Sequence, residues 1–210
     1  MPKSSSAIAK QDARAVDDLR AHAALAVALT LVPGWAGSAE PADSALTGYV
    51  GCITTVNAWH DIITEPGEVE FADAYLATLA LAHTLARYRQ DALSLEGEGQ
   101  VVYNFGDQSH WEFNALLGSR WHRFPWNESV AMTMAFGLGL SYATEIPEVE
   151  VVLEGSSERL LIYWMWETTF APPQSRWAAS LRLHHRSKGF GLLAEDGGMN
   201  ALAAGVRFEF

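Results

Sequence analysis

Three polar residues near the end of the chain, His185, Ser187 and Asn200, are of the types that carry out acyl transfer. A serine hydroxyl is a weak nucleophile until a neighbouring imidazole takes its proton, and the imidazole works best when a third group fixes its ring. His185 and Ser187 stand two positions apart, so on an extended strand they share one face. Asn200 follows on the next segment, across a turn, where it can hold the other ring nitrogen. His-x-Ser alone is a weak motif, and an inert, solvated trio fits the same three residues. Glu195, in the intervening link, replaces Asn200 as orienter if that link folds back. Lys188, directly after Ser187, suits either a donor to an oxyanion or a solvated loop lysine.

The elements that must position these residues are strands. Val206-Arg207-Phe208-Glu209-Phe210 alternates strictly, with Val206, Phe208 and Phe210 on one face and Arg207 and Glu209 on the other. The same alternation recurs in eight segments, near 47–57, 71–86, 92–104, 110–122, 129–142, 159–170, 176–187 and 200–210. In the fifth, Val130, Met132, Met134, Phe136, Leu138, Leu140 and Tyr142 oppose Ser129, Ala131, Thr133, Ala135, Gly137, Gly139 and Ser141. Bulk faces one way and small groups the other. A soluble sandwich puts its bulk inside, where it fills a core. Here the large apolar groups are read as looking out and the small groups in, the reverse arrangement. The segments have the length a strand needs to cross a bilayer, and Trp and Tyr near their ends suit aromatic girdles. The fold expected is all-β: an eight-stranded antiparallel up-and-down transmembrane barrel.

Such a barrel has an interior just wide enough for side chains. Glu96, Glu98, Glu112 and Glu167 are expected to pair there with Arg120, Arg159, Arg182 and Arg207, because buried charges require partners. That fills the lumen and disfavours a pore. The links Arg87–Asp91, Arg123–Glu128 and Ala171–Ser175 are short. Those at 58–70, 143–158 and 188–199 are longer, and 105–109 is a short exception, so the longer loops gather at one end. On the seventh and eighth segments, His185, Ser187 and Asn200 then lie at that end on the outward, lipid-facing parity. His184 has the opposite parity and points inward.

Composition is compatible with this reading. The hydrophobic fraction is 49% and mean hydropathy is +0.02, with no apolar run long enough for a spanning helix. A net charge of −11 argues against nucleic acid as a partner. The one cysteine, Cys52, allows neither an intramolecular disulfide nor a zinc cluster. His83, His110 and His122 are scattered over different strands and lack metal-ligand spacing, so no metal and no cofactor is assigned. Arg20, the apolar stretch Ala23 to Val32 and the small residues Gly37-Ser38-Ala39 have the order of a secretory signal. The expected division is a signal peptide over 1–39, with an over-long start, and a barrel over 40–210.

A terminal aromatic on an alternating strand resembles the C-terminal signature of outer-membrane barrels. More specifically, Leu183-His184-His185-Arg186-Ser187, followed by a loop and a closing strand, resembles the lipid A 3-O-deacylase (PagL-like) family. The resemblance implies a bacterial outer-membrane location and hydrolysis of the ester-linked 3-hydroxyacyl chain of lipid A. It makes lipopolysaccharide of the outer leaflet the partner, and it leaves a homodimer open. It also implies His185 as base and Ser187 as nucleophile. Two positions depart from the family pattern: Asn200 stands where the family has Glu, and Lys188 where it has Asn. Asn200 can orient an imidazole but brings no negative charge, while Lys188 can meet a lipid A phosphate. A non-catalytic barrel that acts structurally or binds through its loops, and a phospholipase or acyltransferase of the outer leaflet, are the competing expectations.

Overall fold

The structure, a computed structural model, describes residues 42–55 and 58–210. The proposed signal segment, 1–39, lies outside the described residues. Eight strands, β1 (Ser44–Thr54), β2 (Phe71–Tyr88), β3 (Leu93–Gly106), β4 (His110–Trp121), β5 (Ala131–Ala143), β6 (Leu160–Ala171), β7 (Trp177–Ser187) and β8 (Gly198–Glu209), pair in sequence order and close on themselves. Every pair is antiparallel, including the closing pair of β1 with β8. The fold is an eight-stranded up-and-down barrel. Among the described residues no helix is long and apolar enough to cross a membrane.

The alternation read in the sequence sets which face each residue takes. Along β3, Ser94, Glu96, Glu98 and Gln100 are buried inside the barrel. On the outside, Leu79, Leu81, Phe113, Leu117, Phe136, Leu138 and Leu181 stand exposed, Leu117 with 60% of its surface bare. Soluble monomers rarely leave so continuous an apolar belt uncovered, whereas hydrocarbon solvates it. Aromatics bracket the belt. Tyr103 packs against Trp111 at 4.9 Å and Tyr75 stacks on Phe105 at 5.6 Å at the long-loop end. Tyr88, Trp121 and Trp126 mark the other end.

The lumen is filled. Arg120 bonds Glu96 at 3.0 Å and Glu167 at 2.7 Å, and Arg182 bonds Glu98 at 2.5 Å and Glu167 at 2.6 Å. Arg207 lies 3.6 Å from Glu96. Arg182 also sits 4.9 Å over the Tyr49 ring. One expected partner is not there: Arg159 lies before β6 and is exposed, because the strand starts at Leu160. Its place is taken by Arg186 and His184, which approach Glu112 at 3.6 Å and 3.1 Å.

Several boundaries shift. β1 begins at Ser44 rather than Thr47, β2 runs on to Tyr88, and β5 starts at Ala131. The larger differences are in the links expected to be plain loops. The β1–β2 link contains a helix α1 (Trp59–Thr64) and a 3-10 turn (Pro66–Glu68). The β5–β6 link contains helix α2 (Glu148–Glu154). α2 turns Val149 and Glu150 inward, both buried, and Val149 joins the apolar cluster of Tyr49, Ile53, Leu76 and Met199 in the upper lumen. Glu150 forms an ion pair with Arg186 at 3.1 Å and accepts a hydrogen bond from Ser157, so α2 is fastened to the barrel mouth as a cap.

Candidate functional site on the outer wall

The register of β6, β7 and β8 builds the site. His185 pairs with Trp164 on one side and Asn200 on the other, and Ser187 pairs with Ile162 and Gly198. Directly opposed residues share a face, so Trp164, His185 and Asn200 form one row across the outer wall. His185 Nδ1–H donates to Asn200 Oδ1 at 2.6 Å. An amide oxygen only accepts, so this bond places the ring proton on Nδ1 and leaves the Nε2 lone pair as a base. The Trp164 ring lies against the imidazole, 4.5 Å between centroids and tilted by 34°.

The parity expected for this trio is the one found, but its surroundings differ. His185 is only 8% exposed and Asn200 1%, so neither stands bare in lipid. Among the described residues, Trp164 backs the imidazole, and Trp59 of α1 meets Trp164 edge-on at 5.5 Å. Ser187 ends β7 half-buried, and its hydroxyl has no hydrogen-bond partner among the described residues. Beside it, Gly198 has φ +142, and a Cβ there would run into the Arg186 carbonyl oxygen at 2.6 Å. That position has to be glycine, which leaves one flank of Ser187 open.

Lys188 points away from Ser187 into its own loop. Its ammonium bonds Asp196 at 2.8 Å, and that bond holds its pKa above the ordinary lysine value. Backbone bonds from Lys188 N–H to Gly197 and from Leu193 N–H to Lys188 tie the loop across its base. Glu195 is exposed on the same loop, and Asn200 rather than Glu195 occupies the Nδ1 side of His185.

Sequence reasoning missed α1. Trp59, Ile62 and Ile63 have the i, i+3, i+4 spacing of a helix with one apolar stripe, a signal present but short. Ile62 is buried against the wall below the His185 row. Between α1 and β6–β8 runs a groove of about 410 Å³, lined mainly by Trp59, Ile62, Trp166, Leu181, Leu183 and Leu202.

Comparison with solved structures places this architecture. The crystal structure of the outer membrane enzyme PagL superposes with a TM-score of 0.55 at 12% identity, over 79% of this chain and 99% of that one. Neisserial surface protein A (NspA) gives 0.48 at 12% identity, covering 80% and 96%. Ail, the attachment invasion locus protein of Yersinia pestis, gives 0.46 at 11%, covering 81% and 100%. No protein-family model matches the sequence, and no curated protein is significantly similar to it. Identities this low speak for the fold alone. The chain is thus an eight-stranded antiparallel β-barrel with the architecture seen in the outer membrane enzyme PagL.

Proposed function

We propose that this protein is an outer-membrane ester hydrolase that removes an ester-linked 3-hydroxyacyl chain from lipid A. The observation that carries the reading is the 2.6 Å bond from His185 Nδ1–H to Asn200 Oδ1 on the outer wall, with Ser187 two residues along the same face. A base of the correct tautomer and a serine, placed at the long-loop end of a lipid-facing wall, are where an outer-leaflet ester would present its carbonyl.

In this mechanism Ser187 Oγ attacks the acyl carbonyl as His185 Nε2 takes its proton. The tetrahedral intermediate then expels the sugar hydroxyl, which recovers that proton from the imidazolium. Water, activated by the same nitrogen, frees the acyl chain from Ser187. Asn200 keeps the ring oriented throughout. Ser187 and His185 are not hydrogen-bonded to each other here; such bonds are often long in resting enzymes and tighten only with substrate bound.

Mass spectrometry of lipid A from cells with and without the protein tests this. One 3-hydroxyacyl chain should be missing when the barrel is expressed. Unchanged lipid A with the folded barrel present in the outer membrane would sink the reading. The neutral Asn200 favours a second reading, a barrel that binds an outer-leaflet lipid without cleaving it, because the imidazolium gains no counter-charge from an amide.

A further inference from the structure

The groove beneath α1 has no part in the proton transfers above, yet it begins where they occur. Its upper end is Trp164, the ring that packs against His185 at 4.5 Å. From there the lining descends strand by strand on the outward parity. Trp166 lies two residues along β6, Leu183 and Leu181 two and four residues along β7, and Leu202 two residues along β8. At about 3.3 Å per residue the groove therefore runs some 13 Å from His185 toward the middle of the apolar belt. This is the direction in which an acyl chain hangs from a headgroup.

Its chemistry points the same way. Side chains on all walls are aliphatic or indole, and Arg182 beneath keeps its guanidinium in the lumen, bonded to Glu98 and Glu167. The outer wall is α1, whose polar residues His60 and Asp61 face away and are well exposed. Thr64 Oγ1–H donates to the His60 carbonyl at 3.1 Å, and Thr55 N–H donates to Glu70 at 3.0 Å to close the loop base. A volume near 410 Å³ is small for a ligand site, and a helix about 10–12 Å across does not fit within it. One extended chain does.

We infer that this groove is a binding site for a single saturated acyl chain of a membrane lipid, and that Ile62 of α1 sets the length of chain it accepts. Ile62 is the buried member of the α1 stripe, 8% exposed beside 61% for Ile63. It lines the groove opposite the β6–β8 wall along which a bound chain lies. The site rests on the hydrolase reading only for the identity of the lipid; the groove holds an acyl chain whether or not Ser187 cleaves it.

The test uses the full chain held in amphipol and a series of 3-hydroxy fatty acids of increasing length, with bound ligand counted by native mass spectrometry. One chain should bind per barrel, with affinity rising about fourfold per methylene until a plateau. Ile62→Trp should move the plateau to shorter chains and Ile62→Ala to longer ones, while Val152→Trp, on the exposed side of α2, leaves it in place. Heat-modifiable migration reports that each variant is folded, and Ile62→Ala carries the test if Ile62→Trp is not. Affinity that keeps rising without a plateau, several chains per barrel, or a plateau that ignores Ile62 would overturn the inference. Ser187→Ala should keep the plateau. If the wild type shows the plateau but leaves lipid A intact, only the hydrolase reading fails. If it deacylates lipid A with a plateau indifferent to Ile62, only the groove fails.

Discussion

His185 donates its Nδ1 proton to the Oδ1 of Asn200, directly opposite on the next strand, at 2.6 Å. The pairing fixes the imidazole without charging its partner. Asn200→Leu should remove the orienter and lower turnover by about 100-fold, the scale of a reacting group left slightly out of place. Asn200→Glu should match or exceed the wild type, since a carboxylate also stabilises the imidazolium. Glu195→Gln should change little. A single turnover assay of the three variants on purified lipid A checks the ranking, and a dead Glu195→Gln beside a fully active Asn200→Leu would transfer the role to Glu195.

Ser187→Ala and His185→Ala should each reduce deacylation by several orders of magnitude, as expected for residues acting as a unit. The double variant should be little worse than either single one. Both positions lie on the outer wall, away from the charged lumen, so heat-modifiable migration should be unchanged. Wild-type rates in both single variants would mean the chemistry lies elsewhere.

Arg182 is fully buried and satisfies Glu98 and Glu167 together. Arg182→Met strands Glu98 inside the barrel, leaves Glu167 to Arg120 alone at short range, and should cost about 3–5 kcal/mol, read from urea unfolding in lipid. The pair of Arg87 with the exposed Asp43, 3.1 Å apart, provides the contrast. Arg87→Met should cost about 0–1 kcal/mol.

Burial pushes the Glu150 carboxyl above its usual range, against the pull of Arg186 and the Ser157 hydrogen bond. The fold thus favours the protonated form. Its stabilisation is complete below the ordinary glutamate value, about 4.3, and is lost as pH rises through the raised one. Hydrogen exchange corrected for intrinsic rates should show α2 better protected near pH ~4 than near pH ~7. Glu150→Gln should abolish the difference. Protection that instead grows with pH would mean the ion pair with Arg186 dominates.

The barrel was legible because each strand repeats one rule, and a period-2 alternation with bulk on one face survives errors of a few residues at the ends. His185 and Asn200 were legible as a pair for the same reason, since parity and hairpin register place them opposite each other. What could not be read was coverage. Nothing local to His185 says that Trp164 backs it or that α1 closes over the wall below it, because those contacts join segments distant in sequence. Arg159 has lumen parity only if the alternation is extended one residue past the strand start. Arg186, in the strand and of inward parity, was the available alternative.

Trp59 and Trp164 meet on the outer wall, yet they come from strands far apart in the ribbon that curls into the barrel. Trp59 follows β1 and Trp164 belongs to β6, and the route between them across the wall passes through β7, β8 and the β8–β1 seam. In an open sheet the two indoles would be separated by the five strand steps from β1 to β6. Helix α1 therefore acts as a latch across the β8–β1 join: loop-closure entropy opposes that join, and α1 adds apolar burial only once it exists. Opening the seam must also break this contact, so the latch slows unfolding without needing to form early in folding. The two indoles can touch only when the ring of strands is complete, so their contact marks closure.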